Sequence, residues 1–515
     1  MMIVLDGDHL TLEQVAQVAY GAPGQPEVTL SPEALSAMAA SRQVVEDILE
    51  QGKRVYGVNT GFGALSDVSI AVDQVAQLQL NFVRSHAAGT GNLLEEPTVR
   101  AMLLLRANAL AKGLSGIRPV VVQLLVEMLN RGVHPVVPSQ GSLGASGDLA
   151  PLAHLALVLI GEGEAFYQGH RLSGAEALAK AGLTPVVLQA KEGLALTNGT
   201  QMMTAIGTLT LLQSEALCNI ADLAGAMTIE AIKGSHQPLG HDIAEARAHV
   251  GHAQSARLMR QLLTGSGIAD SHRDCAKVQD PYSLRCIPQV HGAARDAVAY
   301  ARQVLATEVN SATDNPLVFP DGRVVSQGNF HGEPVAMALD FLAIALAELG
   351  SVAERRIDKL MNPVFSGLPA FLVKDAHAGL NSGFMIVHYT AASLVSESKG
   401  LCHPAVVDSV PTSNDKEDHV SMGAIAARKA AQVLAHTRWI LAAELLAAAQ
   451  GLAFESVFAP GLGVQAAVAF IRQSIPVLEQ DRTLAPEVEQ VAGRIENGQL
   501  WQAVQQGLAP VEATP

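Results

Sequence analysis

The 515-residue sequence has few aromatic side chains, few cysteines and no excess of positive charge. Aromatic residues make up 4% of a chain that is 49% hydrophobic, so its core must be built mainly from Ala, Leu and Val. Such a composition favours closely packed helices. The scattered residues Cys218, Cys275, Cys286 and Cys402 form no C-x-x-C pair and lack the spacing of a zinc site. We therefore expect a reduced, cytoplasmic protein without a metal.

Charge and hydropathy exclude two classes of partner. The net charge of −15 argues against nucleic acid and against an anionic membrane surface. The N-terminal MMIVLDGDHL has early acidic residues and no basic segment, unlike a signal peptide. Apolar runs such as Leu152–Ile160 are far shorter than the roughly 18 residues of a membrane span. The sequence predicts a soluble protein.

Helix signals dominate the chain. Ser31 followed by Pro32 is typical of a helix start. The segment Ala424–Ala449 has 11 alanines and four charged residues, so we expect a helix buried on several sides in a bundle. Further helices are predicted over Val99–Lys112, Pro119–Arg131 and Met337–Met361, and short strands over Val186–Leu188 and Pro316–Val325.

These signals predict an all-α protein with a long-helix bundle core and an N-terminal domain of mixed loops and helices. The polar stretch Leu196–Gly199 separates a part with many glycine-rich loops from a part made mostly of long helices. We place a domain boundary there. Residues 1–198 then form the N-terminal domain, and residues 199–515 form the helical core and the C-terminal helices.

In the stretch GSLGASGDLAPLAH, residues 141–154, four of the first seven residues are glycine or alanine and offer almost no side chain for packing. The stretch is not a nucleophile elbow, because Asp148 stands where G-x-S-x-G requires the second glycine. The chain also lacks G-x-G-x-x-G, the phosphate-binding loop, H-E-x-x-H and the EF-hand pattern. Two interpretations remain: a tight loop that needs glycine for its backbone angles, or chemistry performed by the backbone itself.

The backbone chemistry needs small residues at Ala145-Ser146-Gly147. If the Gly147 nitrogen attacks the Ala145 carbonyl carbon, a five-membered ring closes, and glycine removes the Cβ that would hinder the approach. Loss of water from the ring and from the Ser146 hydroxyl leaves an exocyclic methylidene beside a conjugated imidazolone. That group is a strong electrophile made only from protein, so it requires no external cofactor.

The stretch resembles the signature of the aromatic amino-acid ammonia-lyases, whose prosthetic group is 4-methylideneimidazole-5-one (MIO). Other stretches resemble the same family: YGVNTGFG (56–63), LALTNGTQ (194–201), QDPYSLRC (279–286), NSATDNP (310–316), GNFHGEPVA (328–336) and EDHVSM (417–422). The resemblance covers about residues 50–480. It implies a fumarase/aspartase-like fold, MIO formed in the N-terminal domain, and a homotetramer in which three subunits complete each active site.

SHAAG (85–89), GNFHGEP and EDHVSM resemble the branch of the family that acts on L-histidine. The implied reaction is a β-elimination that gives trans-urocanate and ammonia, the first step of histidine degradation. The implied catalytic residues are Ala145, Ser146, Gly147, Tyr56, Tyr282 and Asn198, and the implied substrate-binding residues are His86, Gln279, Arg285, Phe330 and Glu417.

The resemblance assigns each side chain a role that suits its chemistry. Tyr282 is the candidate base for the β-proton, although its ordinary pKa near 10 would have to be lowered by a positive charge or by hydrogen bonds. Arg285 suits a substrate carboxylate held by two hydrogen bonds. Asn198 would hydrogen-bond the oxygen of the MIO ring, and Gln279 would lie near the substrate. Tyr56 lies among glycines in a loop that could close over the site.

His86 and Glu417 would recognise the imidazole ring, because a site built to hydrogen-bond a ring rejects one that cannot do so. Each also has an ordinary interpretation, as one of 17 histidines and as one acid of a charged run. Phe330 resembles an aromatic pocket contact, although a core Phe is the usual case. The chain departs from the family's commoner PTSANQEDH by reading PTSNDKEDH, so Lys416 could pair with Glu417 or alter its surroundings.

Three alternatives remain. The first is a tyrosine or phenylalanine ammonia-lyase or an aminomutase, which would lack the Ser-His pair before AAG and the acid at Glu417. The second is an inactive helical scaffold, which has no reason to keep an Ala-Ser-Gly that can cyclise. The third is a fumarase-like lyase without a prosthetic group, but its G-S-S-x-M-P signature is absent.

Overall fold

The computed structural model describes residues 2–273 and 278–508, so Cys275 lies outside the described residues. The chain divides into two compact units, each made of several segments. The first unit comprises Met1–Leu212, Ala301–Asp340 and Pro404–Arg428, and the second comprises Gln213–Tyr300, Phe341–His403 and Lys429–Pro515. This division differs from the single boundary predicted at residue 198, because later segments of the chain return to the first unit.

Helices make up most of the described chain, as the composition predicts. They are α1 Leu12–Tyr20, α2 Pro32–Glu50, α3 Val75–His86, α4 Glu96–Ala111, α5 Pro119–Arg131, α6 Leu149–Leu159, α7 Gly174–Lys180, α8 Glu192–Thr197, α9 Gln201–Ala231, α10 His241–Ala246, α11 Val250–Leu262, α12 Gly267–Ser271, α13 Tyr282–Arg285, α14 Ile287–Glu308, α15 Glu333–Met361, α16 Pro363–Ser366, α17 Met385–Leu401, α18 Gly423–Leu452, α19 Leu462–Arg472, α20 Ala485–Glu496 and α21 Gln499–Leu508.

The strands are short and lie in the first unit. They are β1 Met2–Leu5, β2 Glu27–Leu30, β3 Thr90–Leu93, β4 Val133–Pro135, β5 Pro138–Gln140, β6 Glu164–Tyr167, β7 His170–Ser173, β8 Leu317–Val318 and β9 Val324–Val325. Strands β1 and β2 are parallel, with Met2 opposite Glu27, whereas β3–β5, β4–β6–β7 and β8–β9 are antiparallel. Such small sheets leave the fold all-α, as predicted.

Local sequence rules predict several helix ends correctly. Ser31 Oγ accepts a hydrogen bond from the backbone nitrogen of Ala34 at 3.0 Å, and Pro32 occupies the first helical position. This arrangement satisfies a backbone donor that the helix itself leaves unpaired. Helix α5 has the predicted bounds and ends at Gly132, which adopts the left-handed φ of +71°.

The predicted strand at Val186–Leu188 is wrong. The backbone nitrogen of Val186 donates to the carbonyl oxygen of Leu159, so this segment is a connection without regular secondary structure that is tied to the end of α6. Its β-branched residues favour an extended backbone, but a strand also needs a partner strand. The predicted strand at Pro316–Val325 is a hairpin formed by β8 and β9.

Helix α18 contains the alanine-rich segment and is buried over most of its length, as predicted. Its buried Glu444 is paired within the second unit, because Arg356 of α15 donates to both carboxylate oxygens at 2.6 and 2.9 Å. Among the described helices, α15 alone is long and apolar enough to span a membrane, and 61% of its most apolar window is buried inside the protein.

Three helices of the first unit pack against one another and bring their ends together. They are α3, α6 and α8, and each contacts the other two. Helix α3 ends at His86, α8 ends just before Asn198, and the Ala145-Ser146-Gly147 tripeptide precedes α6 by one residue. Of the residues expected at the active site, His86, Asn198 and the tripeptide therefore lie at the ends of rigid elements, where side chains are held more firmly than in free loops.

Candidate active site

The loop around Ser146 has a backbone that only small residues permit. Gly141, Gly144 and Gly147 adopt φ values of +124°, +66° and +68°. A Cβ added to Gly147 would stand 2.2 Å from the carbonyl oxygen of Gly199, so a side chain there has no room. The missing side chains thus let two backbone segments approach closely.

The tripeptide is fixed at both ends. On the upstream side, Ser421 Oγ donates to the carbonyl oxygen of Gly144 at 3.0 Å, and the Met422 nitrogen donates to the Leu143 carbonyl oxygen at 2.8 Å. On the downstream side, the Asp148 nitrogen donates to the carbonyl oxygen of Gly199 at 2.7 Å. These bonds leave Ala145-Ser146-Gly147 as a short bridge between two anchored points.

Asp148 is a buried carboxylate that holds this loop to α9. Its Oδ1 accepts from Ser142 Oγ at 2.8 Å, and its Oδ2 accepts from the Met203 nitrogen at 2.9 Å. Burial is the largest influence on this carboxyl and raises its pKa to about 6, although both hydrogen bonds act in the opposite direction. Because both carboxylate oxygens of Asp148 accept hydrogen bonds within the protein, a structural role suits this residue.

Asn198 contacts the tripeptide directly. Its Nδ2 donates to the carbonyl oxygen of Ser146 at 2.8 Å. Its Oδ1 is buried and has no hydrogen-bond partner in the described part of the chain. The Asn198 backbone is held in turn by the fully buried Arg106, whose Nη1 donates to the Asn198 carbonyl oxygen at 2.9 Å. The amide group is therefore aimed at the Ser146 carbonyl by a rigid support.

Glu417 also reaches the tripeptide, from a turn much later in the chain. Ser146 Oγ donates to Glu417 Oε1 at 2.9 Å, and Thr412 Oγ1 donates to Glu417 Oε2 at 2.7 Å. Backbone hydrogen bonds in both directions between Thr412 and Glu417 close the turn. Ser413, Asn414 and Asp415 inside it have φ values between +51° and +62°. Asn and Asp tolerate this left-handed conformation better than most residues.

A cavity of about 380 Å³ brings five of the predicted residues together. Its wall includes Tyr56, His86, Ser146, Asn198 and Glu417. This volume is within the range of small-molecule sites. Phe62 and Phe82 supply its aromatic surface. The cavity can thus hold a small substrate against Ser146 between an apolar wall and hydrogen-bonding groups.

His86 is held in one orientation by its own helix. Its Nδ1 lies 2.8 Å from the carbonyl oxygen of Phe82, and the two rings lie 3.8 Å apart between centroids. A carbonyl can only accept, so Nδ1 carries the proton and Nε2 offers a lone pair. Burial lowers the pKa of His86, against smaller opposing effects of the Phe82 carbonyl and Glu417. His86 is therefore a neutral acceptor at neutral pH.

Tyr56 lies on the glycine-bearing loop beside this cavity. Burial is the main cause that raises the pKa of its hydroxyl, and the negative charges of Glu417 and Asp314 act in the same direction. Its ring packs edge-on against Phe62 at 6.4 Å. Tyr56 consequently keeps its proton at neutral pH and can act there as a hydrogen-bond donor.

Phe330 and Lys416 lie around a second cavity that also includes Ala145, Ser146 and Glu417 in its wall. Phe330 is half-buried, in keeping with a pocket contact, whereas Lys416 is exposed. Within the described residues, no ion pair joins Lys416 to Glu417, whose carboxylate oxygens bond to hydroxyl groups instead.

The remaining three predicted residues belong to the second unit. Tyr282 opens the short helix α13 and is 71% exposed. The Arg285 guanidinium lies over its ring at 4.5 Å, and Arg285 Nε donates to the carbonyl oxygen of Asp280 at 3.0 Å. Gln279 is also exposed. Their roles at the active site stay predictions.

The structure adds three supporting residues that the sequence did not single out. Arg106 holds the Asn198 backbone, Ser142 binds Asp148, and Thr412 binds Glu417. Ser142 and Thr412 stand within stretches that the motifs already marked, at GSLGASGD and PTSNDKEDH. Arg106 carries a weaker signal, as a charged residue inside the apolar run of α4.

The all-α fold and the anchored Ala-Ser-Gly loop define an aromatic amino acid lyase. The model of the family described as "Aromatic amino acid lyase" matches residues 10–473. The chain belongs to this family, and the fumarase/aspartase-like fold that the resemblance implies is confirmed.

Individual relatives agree with this assignment over nearly the full chain. Histidine ammonia-lyase of Stigmatella aurantiaca is 54% identical over 501 residues and covers 97% of both chains. Histidine ammonia-lyase of Myxococcus xanthus (strain DK1622) is 53% identical over 508 residues, covering 98% of this chain and 99% of the relative.

Solved structures show the same similarity. Histidine ammonia-lyase from Trypanosoma cruzi is 42% identical with a TM-score of 0.91, and the match covers 100% of this chain and 96% of that one. Tyrosine aminomutase from Streptomyces globisporus is 40% identical with a TM-score of 0.92, covering 98% and 99%. Members of one fold thus act on different aromatic amino acids, so the substrate has to be argued from the site.

Proposed function

We propose that the protein is an ammonia-lyase that converts L-histidine to trans-urocanate and ammonia by β-elimination, in the first step of histidine degradation. One observation carries the proposal: the cavity wall that includes Ser146 of the tripeptide also includes His86 and Glu417, and Ser146 Oγ donates to Glu417 Oε1. The curated relatives above, named for histidine deamination, support the same substrate.

The residues around the tripeptide fit a MIO group formed from it. In that group the Ser146 carbonyl becomes the ring oxygen, and Asn198 Nδ2 already donates to this atom at 2.8 Å. Gly147 has the left-handed φ and the close approach to Gly199 that a bulkier residue would prevent. When formed, MIO supplies an electrophile that makes the substrate amine a better leaving group. Asn198 would stabilise negative charge on the ring oxygen.

His86 and Glu417 support L-histidine over a phenyl or phenol substrate. The Nδ1 proton of His86 is committed to Phe82, so its Nε2 lone pair is the atom available to accept from an imidazole N–H. Glu417 supplies a carboxylate beside the same cavity. A ring without nitrogen offers no hydrogen-bond donor to His86 Nε2 or to Glu417 Oε1, and buried polar groups that lack a partner are costly.

Tyr282, Arg285 and Gln279 complete the proposed site from other copies of the chain. Tyr56 keeps its proton at neutral pH, which favours Tyr282 as the base that removes the β-proton. Arg285 would bind the substrate carboxylate, and Gln279 would lie near the substrate. The exposure of Tyr282 in one chain accords with a homotetramer in which subunits share their active sites. We place the enzyme in the cytoplasm.

Another activity of the same family is the second candidate, because the tyrosine aminomutase above is 40% identical. The pair Ser85-His86 and the acid Glu417 argue against an activity on tyrosine or phenylalanine. These side chains add polar groups to the site, and a phenol ring has less use for such groups than an imidazole ring. An inactive scaffold would not keep a tripeptide free of every bulky side chain and held by Asn198.

Two measurements test the proposal. Incubation with L-histidine should produce the ultraviolet absorbance of conjugated urocanate, whereas L-tyrosine and L-phenylalanine should react much more slowly. The intact mass of the purified chain should be lower than the sequence mass by two water molecules. A full-mass chain would exclude MIO, and a faster reaction with L-tyrosine would replace the substrate while keeping the class of enzyme.

A further inference from the structure

The chain as translated carries a serine at position 146, and the hydroxyl of that serine has a carboxylate partner. The bond from Ser146 Oγ to Glu417 Oε1 is 2.9 Å long. In the finished enzyme that hydroxyl oxygen would be gone, so the contact belongs to the chain before the prosthetic group exists. The contact therefore concerns maturation, the formation of the prosthetic group from the translated chain, and Glu417 lies where it can take part in that process.

The position of Glu417 is set by its turn. Thr412 Oγ1 holds Oε2 at 2.7 Å, which leaves Oε1 directed at Ser146. The three consecutive left-handed residues from Ser413 to Asp415 bring the chain back so that Thr412 and Glu417 pair through their backbones. Downstream, Ser421 and Met422 fix the same segment to the loop before Ala145. The carboxylate is thus preorganised at the hydroxyl.

We propose that Glu417 has a second task in this chain: it moves a proton of Ser146 from Cα to Oγ, and so promotes loss of the Ser146 hydroxyl as water. The proposal rests on the proposed function, because it concerns formation of the electrophile used there. It gives one carboxylate two uses, first in maturation and then in binding the substrate ring.

The step balances without any added reagent. Ring closure joins the Gly147 nitrogen to the Ala145 carbonyl carbon. The Ala145 oxygen then leaves as the first water with the hydrogens of the Gly147 and Ser146 nitrogens, and a double bond forms between the Ala145 carbon and the Ser146 nitrogen. Glu417 Oε1 then takes the Ser146 Cα proton, while the electron pair is held towards the Ser146 carbonyl oxygen. Asn198 Nδ2 donates to that oxygen at 2.8 Å and stabilises the charge.

The second water leaves in the last part of the step. The electron pair forms the Cα–Cβ double bond, the Cβ–Oγ bond breaks, and Glu417 returns its proton to the departing Oγ. Glu417 ends as the carboxylate with which it began. Because Cα is only two bonds from Oγ, a carboxylate bonded to Oγ is close to both atoms.

Other ionisable groups near Ser146 are less suited to this transfer. Both oxygens of Asp148 accept bonds from Ser142 and Met203. Tyr56 retains its proton because its pKa is raised. His86 offers a lone pair at Nε2, but its hydrogen bonds within the described residues are to Phe82 and Ser85 and not to the Ser146 hydroxyl. Glu417 is the ionisable side chain that hydrogen-bonds the Ser146 hydroxyl within the described residues.

The test follows the intact mass of newly made full-length chain over time. Glu417→Gln should lose the first water at the wild-type rate and the second about 10²-fold more slowly, the usual scale of general acid–base help. Asp415→Asn is the matched control: it removes the same charge two residues away, at an exposed site where Asn tolerates φ +62°. It should match wild type.

The outcomes separate this proposal from the proposed function. A wild-type chain that keeps both waters would refute the proposed function itself. If wild type loses both, a Glu417→Gln chain that loses both equally fast, or loses neither, overturns the role of Glu417 alone. Circular dichroism shows whether the variant folds. Should it not fold, Thr412→Val decides, because it removes only the hydroxyl that orients Oε2 and should also slow the second loss.

Discussion

The backbone of Gly147 lies against that of Gly199, and a Cβ on Gly147 would stand 2.2 Å from the Gly199 carbonyl oxygen. Gly147→Ala should therefore distort the loop in addition to the roughly 1–2 kcal/mol cost of a left-handed alanine. We expect a chain that retains both waters by intact mass and a lower thermal midpoint.

Gly169→Ala provides the matched control for this variant. Gly169 has a similar φ of +77°, but a Cβ there would meet nothing within 4 Å. The Gly169→Ala variant should lose only the stability that corresponds to a left-handed alanine, and it should still lose two waters by intact mass. Equal effects of the two alanines would show that the approach to Gly199 does not matter.

Ser146→Ala tests whether the tripeptide supplies the reagent. Alanine has no hydroxyl to eliminate, so the methylidene cannot form. Turnover of L-histidine should fall by several orders of magnitude, as when covalent catalysis is lost. The far-ultraviolet circular dichroism should stay that of wild type. Near-normal turnover would contradict the proposed function.

His86→Leu tests the recognition of imidazole. Leucine keeps an apolar wall but removes the Nε2 acceptor, at about 1–3 kcal/mol for a lost buried hydrogen bond. The expected result is a higher KM for L-histidine and a relative gain on L-tyrosine or L-phenylalanine. A double-mutant cycle with Glu417→Gln would report coupling of His86 and Glu417 through the shared ring.

The exposed His170 provides the control for that variant. His170→Leu should leave substrate preference unchanged, since it only adds an apolar side chain to the surface hairpin of β6 and β7. If His86→Leu also kept the wild-type preference, the assignment of His86 to the imidazole would be withdrawn, while the ammonia-lyase activity would stand.

Local patterns in the sequence predict the structural features that depend on interactions between residues close together in the chain. The N-cap at Ser31 and the bounds of α5 follow from capping and glycine rules that act within a few residues. Val186–Leu188 fails as a strand because pairing depends on a distant partner. The contact between Ser146 and Glu417 joins residues 271 positions apart, so spacing alone cannot reveal it. The resemblance to the family identified both residues as candidates for the active site, but it did not predict that they are in contact.

Lys416→Gln tests the departure of this chain from the commoner motif. Lys416 is exposed, whereas the Glu417 carboxylate bonds to the hydroxyls of Ser146 and Thr412. We therefore expect kcat and KM for L-histidine to change little. A large gain in activity would mean that Lys416 restrains Glu417 electrostatically.

Asp148→Asn should change how stability depends on pH. Burial raises the pKa of Asp148 to about 6 in the folded protein, from an ordinary value of 3.8. Between these values the folded state binds more protons than the unfolded state, so stability falls as pH rises. Above about pH 6 the charged Asp148 carboxylate therefore lowers the free energy of unfolding, by roughly 3 kcal/mol at most. Towards pH 4 the carboxyl is protonated in the folded protein, and this loss of stability disappears.

The comparison is best made in a Ser146→Ala background, so that neither chain carries the ring. The introduced asparagine side chain would be able to keep both contacts, accepting from the Met203 nitrogen and donating to Ser142, whose hydroxyl can reverse. Urea unfolding at pH 5 and pH 7 should then show that Ser146→Ala alone gains more stability on acidification than the double variant Ser146→Ala/Asp148→Asn. Identical pH dependence in both chains would mean that Asp148 does not carry this charge cost.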